Sequence, residues 1–339
     1  MKLGIIGLAQ SGKTTVFEAL TRSEPTPQRG ENRIATIRVP DERVDILSQM
    51  YQPKKTTYAQ VEYFLPAHPS GQKRDQNLWT PVRDCDALIH VIRNFTEYGM
   101  DPPNPTEDLS SLNQELILAD LIVAEKRMER IDLDSRRGKA IDAEELSLLQ
   151  QCRQHLEDEI PLRRFKELAS APALRGFAFV SAKPLLVLVN NSDEDAALPD
   201  SILQSDESIM VIRGKLESEL SRMPPEEASD FLEEFNIVAS ATDRVIQRSY
   251  ELLGLISFFT VGPDEVRAWT IKQGVAALDA AEVIHSDIKK GFIRAEVLSY
   301  ADLMEAGDYA QARKKGTVRL EGKTYEVKDG DIVHFRFNV

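Results

Sequence analysis

The chain has 339 residues, 42% apolar and 29% charged. That is a globular balance on a chain too long for one small core, so two or three domains are expected. The formal net charge of −13 argues against indiscriminate binding to DNA or anionic membrane, and leaves RNA only a local basic face. No apolar run approaches membrane-spanning length, and the start Leu3 to Leu8 is too short for a secretion signal. Cys85 and Cys152 lack metal-type spacing and the five histidines form no ligand pair. A cytoplasmic protein with two reduced thiols and no structural zinc is expected.

In chain order, the first informative segment is Leu3-Gly4-Ile5-Ile6, a strand, followed by Gly7-Leu8-Ala9-Gln10-Ser11-Gly12-Lys13-Thr14. The latter is a complete G-x-x-x-x-G-K-[ST] phosphate-binding loop, and the helix-like run Lys13 to Arg22 comes next. Gly7 and Gly12 let the main chain curl so that successive N–H groups, including those of Ala9, Gln10, Ser11 and Thr15, point at phosphate oxygens. The start of the helix adds partial positive charge. Lys13 would reach the β- and γ-phosphates as the catalytic cation, and Thr14 would place its hydroxyl on Mg²⁺. An ordinary glycine-rich turn is the plain alternative, and the strand–loop–helix context disfavours it.

Residues 57–65 alternate, with Ala59, Val61, Tyr63 and Leu65 on one face, and read as a strand. Ala87 to Ile92 and Leu185 to Val189 are continuous apolar runs, and Ile209 to Ile212 is a shorter one. Together they predict a mostly parallel sheet with helices on both faces and ligand at its carboxyl end. From Asn113 to Leu133, residues Ile117, Leu121, Ala124, Met128 and Ile131 step by four and three, a heptad seam. After a charged turn (134–139), a second helix carries Leu146, Leu149, Cys152, Leu156 and Ile160, completing an antiparallel hairpin. Its outward charges read as a solvated face.

The last 86 residues change character. Strand candidates at Val266 to Ile271, Ile293 to Val297, Thr317 to Leu320, Lys323 to Val327 and Ile332 to Phe337 surround one helix, about Ala276 to Ile288. This is an α+β module. Residues 254–339 hold 12 Lys/Arg against 13 Asp/Glu, so this end repels RNA least. Arg313-Lys314-Lys315 with Arg319 and Lys323 read either as an RNA-facing patch or as solvated loop charge. Trp269 is expected in the core. His285 and Asp287 fall late in the helix, where capping or packing is a better reading than acid–base chemistry.

Several of these segments resemble the YchF family, the Obg-like ATPases. The text from Phe258-Phe259-Thr260-Val261-Gly262 through Glu265-Val266-Arg267-Ala268-Trp269-Thr270, Ile284-His285-Ser286-Asp287, Lys290-Gly291-Phe292-Ile293-Arg294-Ala295-Glu296-Val297 and His334-Phe335-Arg336-Phe337-Asn338-Val339 carries the likeness. Val39-Pro40-Asp41, Pro53-Lys54-Lys55, Leu116 to Leu121, Glu125-Lys126-Arg127 and Ala182-Lys183-Pro184 extend it to essentially the whole chain. The resemblance implies a P-loop GTPase-like α/β domain (1–112 and 177–253), an inserted helical hairpin (113–176) and a C-terminal β-grasp, TGS-type domain (254–339). It implies binding of Mg²⁺ with ATP or GTP, slow hydrolysis, and contact with the ribosome or RNA through the helical and C-terminal domains.

Three segments depart from the family pattern. Gln10-Ser11-Gly12-Lys13-Thr14 replaces an Asn-Val-Gly-Lys-Ser core. At the family's Asp-x-x-Gly switch, Glu62 stands at the Asp position and Leu65 at the Gly position. Glu62 is thus the second metal candidate, reaching Mg²⁺ through water. Thr26 is a candidate switch threonine, with an ordinary surface residue as the alternative. At the base-reading motif the chain has Asn190-Asn191-Ser192-Asp193 after the strand, with Asn190 and Asp193 as base contacts and adenine or guanine both open. A turn sequence is the plain alternative there. The altered switch raises a second functional reading, a non-hydrolysing, nucleotide-dependent binding module.

Overall fold

The computed structural model describes residues 1–23, 31–67, 79–203, 205–234 and 240–338. In chain order the elements are β1 (Lys2–Ile6), α1 (Lys13–Thr21), β2 (Arg33–Arg38), α2 (Glu42–Tyr51), β3 (Lys55–Thr57), β4 (Gln60–Leu65), β5 (Ala87–Asn94), α3 (Pro105–Arg136), α4 (Ala143–Glu157), α5 (Lys166–Ser170), β6 (Leu185–Asn191), β7 (Ser208–Ile212), α6 (Gly214–Leu220), α7 (Pro225–Glu234) and α8 (Ala241–Leu252). They continue as β8 (Leu255–Thr260), β9 (Glu265–Lys272), α9 (Ala277–Ile284), α10 (Ser286–Lys290), β10 (Phe292–Ser299), α11 (Tyr300–Ala306), α12 (Tyr309–Lys315), β11 (Arg319–Glu321) and β12 (Asp331–Phe337). The chain divides into two units, Met1–Thr36 with Glu62–Val245, and Ile37–Val61 with Ile246–Val339.

The first unit is built on a six-stranded sheet in the order β2-β4-β1-β5-β6-β7. β1 runs parallel to β4 and β5, and β5, β6 and β7 are parallel in turn. The expected parallel sheet is present. β6 is buried along its whole length, which is why it reads as a continuous apolar run rather than an alternating one. On one face Ile6, Leu88, Ile92, Leu185, Val187 and Val189 pack with Leu109, Leu112 and Leu116 of α3. Ile89, Val91, Leu186 and Leu188, on the other face, are fully buried as well.

The heptad seam lies inside α3, which at 32 residues is longer than its apolar pattern. Asn104 caps it, accepting from the Glu107 N–H, and Pro105 occupies the first turn. Ile117, Ala124 and Ile131 of α3 meet Leu149, Cys152 and Leu156 of α4. α3 is also tied to the segment before β6. The Asp120 carboxylate is fully buried, accepts from the Val180 and Ser181 N–H groups (3.0 and 2.6 Å), and pairs with Arg83 at 3.1 Å. Burial pushes this carboxyl above its ordinary range, and those donors pull it back. Removing one partner of such a buried pair costs roughly 3–5 kcal/mol.

The second unit has a mixed sheet in the order β11-β10-β12-β8-β9-β3. β10 is antiparallel to β11 and β12, β8 is antiparallel to β9, and β3 joins β9 in parallel. α9 buries Ala277, Ala280 and Ala281 against Phe258, Val297, Val333 and Phe335. Trp269 packs on this core, and its Nε1 donates to Thr260 Oγ1 at 2.9 Å. The Val39-Pro40-Asp41 segment starts α2: Asp41 accepts from the Arg43 N–H. The Arg43 guanidinium then bridges Asp41 and Asp329 (2.9 and 2.7 Å) above the Phe259 ring.

Three expected elements differ. Residues 57–65 are not one strand: Lys55–Thr57 joins β9, where Thr57 donates to Glu265, and Gln60–Leu65 joins β1. Lys323 to Val327 makes only an isolated bridge, Ala276 to Glu326, because Gly322 and Tyr325 close a turn within it. The helix over 276–288 breaks at His285, which is extended (φ −165°) and whose Nδ1 accepts from the Asp287 N–H at 3.2 Å. Capping is therefore the role of His285.

His90, on β5, is fully buried, and neither ring nitrogen has a hydrogen-bond partner among the described residues. Burial first, then the charges of Arg163 and Lys13, pushes its pKa down to about 3. The unfolded chain takes up this proton near pH 6.5 and the folded one does not. Stability is thus full above about 6.5 and is lost as pH falls toward 3, at up to about 1.4 kcal/mol per pH unit. His90→Leu should flatten that slope in urea titrations at pH 5 and 7, with stability at pH 7 equal or higher.

Candidate nucleotide-binding site

The loop after β1 is shaped by close main-chain approach. Gly7 has φ 153°, and a Cβ there would lie 2.4 Å from the Val91 carbonyl oxygen. Gly12 has φ 88°, and a Cβ there would lie 2.2 Å from Asn190 Nδ2. Gln10 takes a left-handed φ of 62°, strained for a residue with a side chain. α1 starts at Lys13 without a capping side chain on Gly12 and without an acidic residue in its first turn. Nothing on the helix itself competes with an incoming anion.

Lys13 is only 6% exposed, and its Nζ donates to the Leu8 carbonyl. Burial lowers its pKa to about 8. Ser11 is buried, and its Oγ lacks a hydrogen-bond partner among the described residues. Ala9, Gln10 and Thr14 are exposed, and Thr15 is half-buried. The cradle, the buried ammonium and the available Thr14 hydroxyl fit a triphosphate with its magnesium ion.

Asn190 and Asn191 are the last residues of β6 rather than the first after it. The Asn190 amide is 4% exposed and bridges two elements. Its Nδ2 donates to the Ser11 carbonyl at 3.1 Å, and its Oδ1 accepts from the Gly214 N–H at 2.9 Å. Asn191 accepts from Asn94 and donates to the Asp195 and Ala197 carbonyls, shaping the loop that follows. Asp193 Oδ1 accepts from the Leu216 N–H at 3.1 Å, near the start of α6, and Lys215 Nζ stands 3.9 Å from Oδ2. The structure therefore brings Gly7 to Thr15 together with Asn190, and places Asp193 three residues beyond it.

Glu62 is elsewhere. It pairs in register with Lys2, and Phe64 with Gly4, so Glu62 lies four positions before the β1 residue that leads into the loop. That is about 13 Å along a strand. The expected metal role of Glu62 is corrected accordingly, because it lies in the amino-terminal half of β4, beside the start of β1, where its N–H donates to the Met1 carbonyl. At the loop end β4 offers Leu65, a buried apolar residue. No group of three or more acidic, His or Cys side chains suited to a metal occurs among the described residues. Thr26 lies outside the described residues.

Three site neighbours escaped the sequence reading. Phe95, just after β5, has a ring carbon 3.9 Å from the position of a Cβ on Gly12. Arg93, the penultimate residue of β5, stands beside Asn190. Gly214 opens α6 where a Cβ would crowd Asn190 Oδ1 at 2.8 Å. The available signal was the carboxyl end of each predicted strand, and for Gly214 a lone glycine at a strand–helix junction.

A parallel sheet whose central strand feeds a curled G-x-x-x-x-G-K-T loop, braced by an asparagine two strands away, defines a P-loop α/β protein. Residues 255–338 match the YchF-GTPase_C family model, described as a protein of unknown function. The ribosome-binding ATPase YchF of Bacillus subtilis (strain 168) is 34% identical over 361 residues, covering 99% of each chain. Its namesake in Pasteurella multocida (strain Pm70) is 33% identical, covering 100% of this chain and 99% of that one. Among solved structures, the Schizosaccharomyces pombe YchF GTPase superposes with a TM-score of 0.85 at 28% identity, over 99% of this chain and 97% of that one. The chain belongs to the YchF family.

The Lys13 titration has a measurable sign. Phosphate contact favours the charged ammonium, so the pKa rises on binding. Below about pH 8 the ligand-free side chain is already charged, and above it binding must take up a proton. Triphosphate affinity should be level below about pH 8 and fall up to about tenfold per unit above it. Calorimetry in buffers of different ionisation enthalpy should register that proton uptake.

Proposed function

We propose that this protein is a Mg²⁺-dependent P-loop ATPase that hydrolyses its nucleotide slowly and associates with the ribosome. The observation that carries the reading is the glycine-shaped cradle at the start of α1 with Lys13 buried inside it. The relatives, named ribosome-binding ATPases, support both the reaction and the partner, and give the non-hydrolysing alternative no support. Lys13 would neutralise charge on the phosphoryl group in transfer, Thr14 would hold the metal, and the loop N–H groups would fix the β-phosphate. Asp193 would accept from the purine's exocyclic amine through Oδ2, since Oδ1 already serves Leu216. Slowness fits a β4 that ends in Leu65, so that strand supplies no carboxylate beside the loop. Residues 113–176 would form the inserted hairpin and 254–339 a TGS-like domain, and these would meet ribosome or RNA.

Single-turnover assays with purified protein test the enzyme. Wild type should release phosphate from ATP, and Lys13→Ala should lose at least about 100-fold. Equal rates in the two would remove the ATPase reading. In parallel titrations of ATP and GTP, with and without Mg²⁺, wild type should prefer ATP. Asp193→Ala should bring the two affinities within about threefold, whereas an unchanged ratio would take Asp193 out of base recognition.

A further inference from the structure

Resting on that reading, we infer that Arg93 is a second cationic contact to the phosphate chain of the nucleotide held by the loop. Arg93 is paired in register with Asn190 across β5 and β6, and register partners in a sheet project from the same face. The Asn190 side chain on that face touches the loop, with Nδ2 3.1 Å from the Ser11 carbonyl. Arg93 therefore leaves the sheet on the loop side, at its carboxyl end, one strand from β1.

Its guanidinium is half-buried and, among the described residues, meets only neutral acceptors, the Phe95 carbonyl at 3.4 Å and Met100 Sδ at 3.8 Å. Asp108 feels its charge but is not in ion-pair contact with it. Among the other partly buried arginines on this unit, Arg33, Arg83, Arg127 and Arg163 each hold a carboxylate at 3.1 Å or less, and Arg213, which meets the Asp193 carbonyl at 3.4 Å, lies by the base-side loop rather than on β5. A guanidinium with no counter-ion among the described residues, partly removed from water, is poised for an anion. Phe95 lies within van der Waals reach of the space above Gly12, and it keeps Arg93 beside the loop through the contact to its carbonyl. The anion that this geometry accommodates is the phosphate chain that Lys13 serves from the other side.

The test uses the full chain with ATP and ADP in Mg²⁺, by calorimetry at about 50 and 200 mM salt. Arg93→Gln should weaken both nucleotides at least about tenfold and make log Kd less steep in log salt, with the ligand-free melting temperature little changed. Arg93→Lys, which retains the charge but not the fork, should fall between the two. In wild type, saturating ADP should protect Arg93 from phenylglyoxal, read by mass spectrometry, and this arm holds even if a variant folds poorly. Wild-type affinity and salt slope in Arg93→Gln, or Arg93 modified equally fast with and without ADP, would overturn the assignment. Failure of wild type itself to bind ATP would remove instead the nucleotide reading on which it rests.

Discussion

The site depends on one buried amide. Asn190 ties the Ser11 carbonyl of the phosphate loop to the Gly214 N–H that opens α6, so a single side chain sets the spacing of three segments far apart in sequence. A neutral hydrogen bond contributes about 1 kcal/mol net, but a buried donor or acceptor left without one costs more. The neighbouring backbone is fitted to this amide: Gly12 and Gly214 lack side chains where Asn190 lies. The glycines and the asparagine therefore form one packing unit, and the curl of the loop is as much a consequence of β6 and α6 as of its own sequence.

Much of the first unit was legible in the residues. Runs such as Leu185 to Val189 are apolar on every position because helices cover both faces, and a buried parallel strand leaves that mark. The heptad seam of α3 was visible because one stripe of a long helix must pack. β2 was not legible. Arg33-Ile34-Ala35-Thr36-Ile37-Arg38 lies at a sheet edge, with Ile34 left 55% exposed, and such a strand carries no clear apolar face. The break at His285 was hidden because an imidazole that caps the next turn looks, in sequence, like one more helical residue.

The candidate site was legible where function fixes backbone shape, and misread where it was placed by alignment to a motif. Gly7, Gly12 and Lys13 follow from local geometry that any phosphate loop needs. Glu62 came from matching a remote pattern, and a displacement of a few residues along β4 moves a side chain from one end of a sheet to the other. Strand register decides the matter, and the pairing of Glu62 with Lys2 is a tertiary contact that a match to a local motif does not contain.

The second unit is assembled from chain segments synthesised far apart. Thr57 meets Glu265, 208 positions further along the chain, and α2 is fastened by Arg43 to Asp329. During translation the early arm, residues 37–61, must wait for nearly the entire remaining polypeptide before its partners exist. A fragment beginning at residue 246 would lack that arm, leaving the outer edge of β9 bare and inviting pairing between copies.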